Sequence, residues 1–267
     1  MNARIPVHVT ALAALLCGGS AFAQTRAVEA RHYEFGFNST DSDTSDSTSS
    51  GTLGVNLAAT FPLGNYLGAS IGGAYSESKV RTRDVLSDNP DAVPGSRQSC
   101  CIDNTNGNVS LFWRRPAFGR VGVSYGIGDL SADCEGESVF LLTGKDSLGT
   151  DNYRVDAEYY IGDFAVGAAY AVTQLEDSSE DLKTTTLSAN WYPIDSVKLS
   201  VFGNDLYDDN TYGLAVEHQP GMLGDGFSVR LGVSTTDASP KTRTIQIGLA
   251  YFFGRQVPLK VRDRQYR

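Results

Sequence analysis

Arg154, Asp156 and Glu158 stand two residues apart in the stretch Tyr153-Arg154-Val155-Asp156-Ala157-Glu158-Tyr159. In an extended chain that spacing puts all three charges on one face and Tyr153, Val155, Ala157 and Tyr159 on the other. Glu34 and Arg230 likewise interrupt apolar alternation, at Tyr33-Glu34-Phe35 and Val229-Arg230-Leu231. If this charged face lines water, the five residues can steer ions or hold a polar solute. If it lines a filled interior, they serve as internal ion pairs. Both roles stay open from the sequence.

Other chemistry has less to stand on. General acid–base or nucleophilic catalysis of the usual kind needs a histidine near the reacting group. Only His32 and His218 lie beyond the N-terminal leader, each at one end of an apolar run and far from a suitable partner. We expect no enzyme. The run Asp41-Ser42-Asp43-Thr44-Ser45-Asp46 begins like a calcium loop but has Asp46 where glycine is required and Thr52 where the closing glutamate belongs. A solvated acidic loop is the expectation, with no metal and no cofactor.

The elements that must position these residues are short and alternating. Residues 1–23 carry one base at Arg4, an apolar run from Val9 to Leu16, and Ala21-Phe22-Ala23. They read as a cleaved secretory signal, and the apolar run is too short to span a bilayer. The whole chain has 22 basic and 31 acidic residues, a formal net charge of −9. Nucleic acid is not an expected partner of so acidic a chain.

From Tyr33 onward, apolar residues recur at every second position: Tyr33, Phe35 and Phe37, then Leu53 to Phe61, then Leu67 to Tyr75, and so on to Thr244–Phe253. Compact turns such as Pro62-Leu63-Gly64-Asn65 and Gly162-Asp163 alternate with long polar stretches. The longest of those run from about Glu77 to Asn108 and from Gly128 to Asn152. We count about twelve strands, each near the ~10 residues of a tilted membrane strand. Aromatics of apolar parity gather at both strand ends: Phe61, Trp113, Phe164, Trp191, Phe227 and Phe253 beside the turns, and Phe37, Tyr75, Tyr125, Tyr153, Tyr170 and Tyr212 beside the loops. The opposite parity is Gly, Ala, Ser, Thr and Asn with the five charges. This is the pattern of an all-β, antiparallel transmembrane β-barrel with two aromatic girdles.

The last patterned segment ends Gln246-Ile247-Gly248-Leu249-Ala250-Tyr251-Phe252-Phe253. A polar residue, a glycine two later and aromatics at alternate positions near the end resemble the closing-strand signal of Gram-negative outer-membrane β-barrel proteins, the broad porin-like class. The resemblance implies contact with outer-membrane lipid and lipopolysaccharide, and reading of Gln246, Gly248, Tyr251 and Phe253 by the barrel-assembly machinery. It departs from the class in that Arg255 to Arg267 follow. An even strand number places both termini in the periplasm.

Three segments result: a signal at 1–23, a barrel at 24–254, and a basic tail at 255–267 that is expected to be solvated in the periplasm. Cys134 and the pair Cys100-Cys101 fall in neighbouring outer loops, in an oxidising setting, so a disulfide from Cys134 to Cys100 or Cys101 is expected. The apolar run Val139–Leu142 either folds inward as a constriction or caps the rim. The function expected is a passive channel for small hydrophilic solutes, weakly cation-favouring because Glu34, Asp156 and Glu158 outnumber Arg154 and Arg230. The alternative is a non-conducting surface barrel whose acidic Ser/Thr-rich loops bind a partner. Oligomeric state is not legible.

Overall fold

The computed structural model describes residues 26–44, 49–83, 97–134, 147–176, 181–206, 209–224, 226–238 and 241–267. The leader with Cys17, the run Val139–Leu142 and the middle of the long loops lie outside these residues. Twelve strands follow in chain order: β1 (His32–Thr44), β2 (Ser49–Pro62), β3 (Leu67–Arg83), β4 (Arg97–Arg115), β5 (Gly119–Cys134), β6 (Ser147–Ile161), β7 (Phe164–Leu175), β8 (Leu182–Ile194), β9 (Val197–Leu206), β10 (Asp209–His218), β11 (Phe227–Thr236) and β12 (Thr242–Phe253). One short helix, α1 (Leu259–Gln265), ends the chain.

Every strand pairs with its neighbours in sequence, and β12 pairs antiparallel with β1, Phe253 opposite Tyr33 and Gln246 opposite Thr40, so the sheet closes into a barrel without an edge. The connections at the end that holds His32 and Phe253 are tight except that from His218 to Phe227, which carries a single 3-10 turn at Gly221–Leu223. Ile161 faces Phe164 across Gly162 and Asp163, and Gly162 supplies the left-handed φ of 56° that such a two-residue turn needs. This is the end that faces the periplasm in barrels of this kind, and both described termini lie there.

The outer face is apolar and bare. Leu57 and Leu187 are each 62% exposed, and Val155, Ile247 and Leu231 are about half exposed. A belt of this extent around a closed barrel has no partner among the described residues and matches the surface that lipid covers in a membrane barrel. Girdle aromatics pair along it, with Tyr125 and Tyr153 ring centroids 5.2 Å apart and Phe164 stacked on Trp191 at 6.0 Å.

Two expectations change. The polar stretches expected as loops are partly strand: β3 runs on to Arg83, β4 starts at Arg97, β5 reaches Cys134 and β6 begins at Ser147. Above the membrane both sheet faces meet water, so backbone pairing continues after the apolar alternation has stopped. The tail is not solvated. Leu259 and Tyr266 are 0% and 2% exposed, because α1 turns into the periplasmic mouth of the barrel instead of leaving it.

Candidate functional site

The structure divides the five expected lumen residues between two places. Asp156 on β6 lies 4.0 Å from both Arg120 and Arg154. Gly122 stands opposite it in the β5 register and leaves room for the carboxylate. Glu158, one step nearer the periplasm, accepts a long hydrogen bond from Asn190 Nδ2 at 3.4 Å. Glu34 and Arg230 lie across the bore beside the seam, where Arg230, Gly248 and Asn38 share one rung across β11, β12 and β1. The charges form two separate groups, not a single ring.

Glu34 meets the tail. Arg267 Nη2 donates to Glu34 Oε1 at 3.1 Å, and its other terminal nitrogen lies 3.6 Å from Asp263 and 3.9 Å from Glu217. These contacts belong to a larger knot. Lys198 on β9 reaches Glu217 at 2.7 Å and Asp263 at 2.8 Å, Arg262 donates to Glu217 at 2.6 Å, and Tyr192 donates to Asp263 at 3.0 Å. Arg114 on β4 donates to the Arg267 carbonyl oxygen and, at 3.3 Å, to that of Ala27.

Aromatic rings hold the knot from below. The Arg262 guanidinium lies 3.5 Å above the Phe252 ring, and His32 stacks on the same ring at 5.3 Å. At the rim Lys260 pairs with Asp163 at 2.5 Å, and Gln219 donates to the Val257 carbonyl at 3.0 Å. The N-terminal lead joins in, as Ala27 and Val28 are wholly buried and Ala27 N–H donates to Asn65 at 2.7 Å.

The electrostatics of the tail follow from these partners. Burial works to raise the Asp263 carboxyl, but Lys198, with Arg262 and Arg267 behind it, holds it below the usual carboxylate range. Glu34, followed by Glu217 and Asp263, keeps the Arg267 guanidinium more firmly protonated than usual against the opposing effect of burial. The exposed Asp163 carboxyl is lowered by its hydrogen bond to Lys260. The bases of the plug are thus answered largely by acids of the barrel, Glu34, Asp163 and Glu217.

Sequence reasoning missed Arg114, Lys198 and Glu217, although each has inward parity next to a turn. It also missed a signal in the tail itself: Leu259, Arg262, Asp263 and Tyr266 recur at helical spacing and all point to one side. Pro258 opens that helix as its N-cap.

The remaining expected residues are placed without a shared site. Gln246 and Gly248 face inward, while Tyr251 and Phe253 face out with their rings 4.7 Å apart. Cys100 is disulfide-bonded, Cys101 is free, and Cys134 stands opposite Cys100 in the β4–β5 register. His32 is buried, whereas His218 is exposed with its ring against the Ser196 carbonyl at 3.3 Å. Among the described residues no group of His, Cys, Asp and Glu is arranged to hold a metal.

No protein-family model matches the chain, and no curated protein does. Solved structures do match. An outer-membrane channel from Pseudomonas putida F1 superposes with a TM-score of 0.61 at 8% identity, covering 88% of this chain and 100% of that one. The transport unit of the autotransporter AIDA-I from Escherichia coli gives 0.53 at 11%, covering 87% and 92%. The KdgM porin, in complex with disordered oligogalacturonate, gives 0.50 at 8%, covering 82% and 99%. At such identities the likeness is one of fold. The described residues fold as a twelve-strand antiparallel closed barrel of the Gram-negative outer-membrane type, with both of their ends, at 26 and 267, on the side that faces the periplasm in that type.

Proposed function

We propose that the barrel is a diffusion channel for small hydrophilic solutes whose periplasmic mouth is governed by its own C-terminal segment. The observation that carries this reading is the way Pro258–Arg267 is seated. The segment is held by charged and hydrogen-bonded contacts to six strands, from Glu34 on β1 and Arg114 on β4 to Glu217 on β10. Buried ion pairs give little net stability over their hydrated parts, unlike an apolar seal. A plug built this way can leave the mouth with its charges rehydrated, and the apolar surface it uncovers is confined to a few side chains such as Leu259 and Tyr266.

Selectivity follows the inner wall. The five expected charges alone favour cations, but Arg114, Arg120 and Lys198 join them on the wall, and Arg262, Arg264 and Arg267 come with the tail. Glu217 and Asp263 are the acids added. The bore is basic with the tail seated, so the reading replaces the expected cation preference with one for anions and neutral solutes.

The plug also supports a second reading, a non-conducting barrel that presents its outer loops. Planar-bilayer recordings separate the two. The full chain should give small, brief current steps, and a chain ending at Val257 larger and longer ones. Silence from both would leave the non-conducting barrel.

A further inference from the structure

We propose that the cavity above Arg267, beside the β1–β12 seam, is a binding site for a small monocarboxylate. The inference rests on the reading that solutes reach the bore from the loop side. The cavity measures about 150 Å³ and is lined by Glu34, Asn38, Asn56, Arg230, Gln246 and Arg267 among others. At ~30 Å³ per water it takes about five, which sets the ligand at roughly two to four carbons.

The charges around the cavity are answered, with one exception. Glu34 is held by Arg267, and Glu217 by Lys198 and Arg262 with a further hydrogen bond from Ser228 at 3.1 Å. Arg230 has no acid within ion-pair distance among the described residues, and its Nε is buried without a hydrogen-bond partner. That nitrogen has lost water and gained no partner for it, in a side chain that is otherwise half-buried and faces the cavity. A carboxylate supplies two acceptors in the geometry of its planar fork.

The wall is shaped for such a guest. Gly248 lies between Arg230 and Asn38 on their common rung, so no side chain separates the guanidinium from the carboxamide. A Cβ at Gly54 would come within 2.7 Å of Asn38 Oδ1, and one at Gly36 would strike Asn56. The two glycines thus let both amides lie flat against the wall, where they offer donors and acceptors for a hydroxyl or amine on the guest. The paired acids Glu34 and Glu217 disfavour a second carboxylate, which selects a monoanion over a dianion.

The test is titration of the detergent-folded full chain with sodium acetate and sodium glycolate, read by saturation-transfer NMR, against sodium chloride at equal ionic strength. Saturable binding of both carboxylates is expected, with glycolate the tighter and chloride unable to compete at equal concentration. Arg230→Gln should weaken it at least tenfold, and Lys241→Gln, exposed at the loop end, should leave it unchanged. Asn38→Asp offers an independent variant, because the new carboxylate would occupy Arg230 itself and abolish acetate binding. Unchanged affinity in either Arg230→Gln or Asn38→Asp, or no saturable signal from the folded parent, overturns the proposal. A chain that binds acetate but passes no current would refute the channel reading and leave this site standing. A chain that conducts but shows no acetate signal would do the reverse.

Discussion

Lys198 and Asp263 are 2.8 Å apart, and their contact joins the wall of the barrel at β9 to the tail at α1. Lys198 is also the near partner of Glu217, so a single ammonium serves two carboxylates that would otherwise repel each other. Replacing it by Met leaves both acids short of a cation. Breaking a buried pair from one side costs about 3 kcal/mol, which is more than a hundredfold in the seated population. Lys198→Met should therefore open the mouth, and single-channel recordings should show longer steps than the parent's. Dwell times equal to the parent's would mean that the tail does not govern the opening.

The same contact sets a pH dependence. Asp263 has a folded-state carboxyl below its unfolded value, so its share of the tail's docking is fully present above the usual carboxylate range, near pH ~4. It is lost as pH falls through the lowered folded value. Asp163, lowered by Lys260, acts in the same direction at the rim. Through these two carboxyls, conductance should rise only below about pH 4. In Lys198→Met the rise should begin at higher pH, since the main group lowering Asp263 is gone. A rise that starts near pH 6 in the parent would point to a different group.

Cys100 is disulfide-bonded and faces Cys134, while Cys101 is free. Peptide mapping without reduction should recover Cys100 joined to Cys134, with Cys101 open to alkylation. The bond would close a loop of about 35 residues and stabilise the barrel by roughly 3–4 kcal/mol through the unfolded state. Reduction should therefore lower the temperature at which the folded gel band disappears. Alkylation at Cys100 in unreduced protein would contradict this pairing.

Phe202 on β9 is the large aromatic whose ring lies against Gly213 on the inner wall, where an added Cβ would strike its edge. Gly213→Val should lift that ring into the bore and reduce the conductance of the chain ending at Val257, with the heat-modifiable folded form retained. Unchanged conductance would place the narrowest point elsewhere.

Most of the barrel was legible because it repeats a period of two under one strong constraint, the lipid. In β6 the alternation of Tyr153, Val155, Ala157 and Tyr159 fixes which face carries Arg154, Asp156 and Glu158, and the structure keeps that parity. The upper halves of β4 and β5 were not legible. Asn104, Asn106 and Asn108 share the bore face while Asp103 and Thr105 between them meet water outside, so nothing in their hydropathy distinguishes strand from loop. The plug was hidden for another reason. Its contacts join residues such as Glu34 and Arg267, 233 positions apart, and a two-turn helix carries too few residues for its one-sided pattern to stand out.

Arg267 touches Glu34 on β1 and Glu217 on β10, strands that lie on opposite sides of the β1–β12 seam. Those two acids become neighbours only after the first and last strands have zipped together. The tail therefore has no complete berth in a half-assembled sheet, and its seating must be the final event of biogenesis. Before closure the basic tail lacks these partners, so docking of the tail reports that the seam has been made.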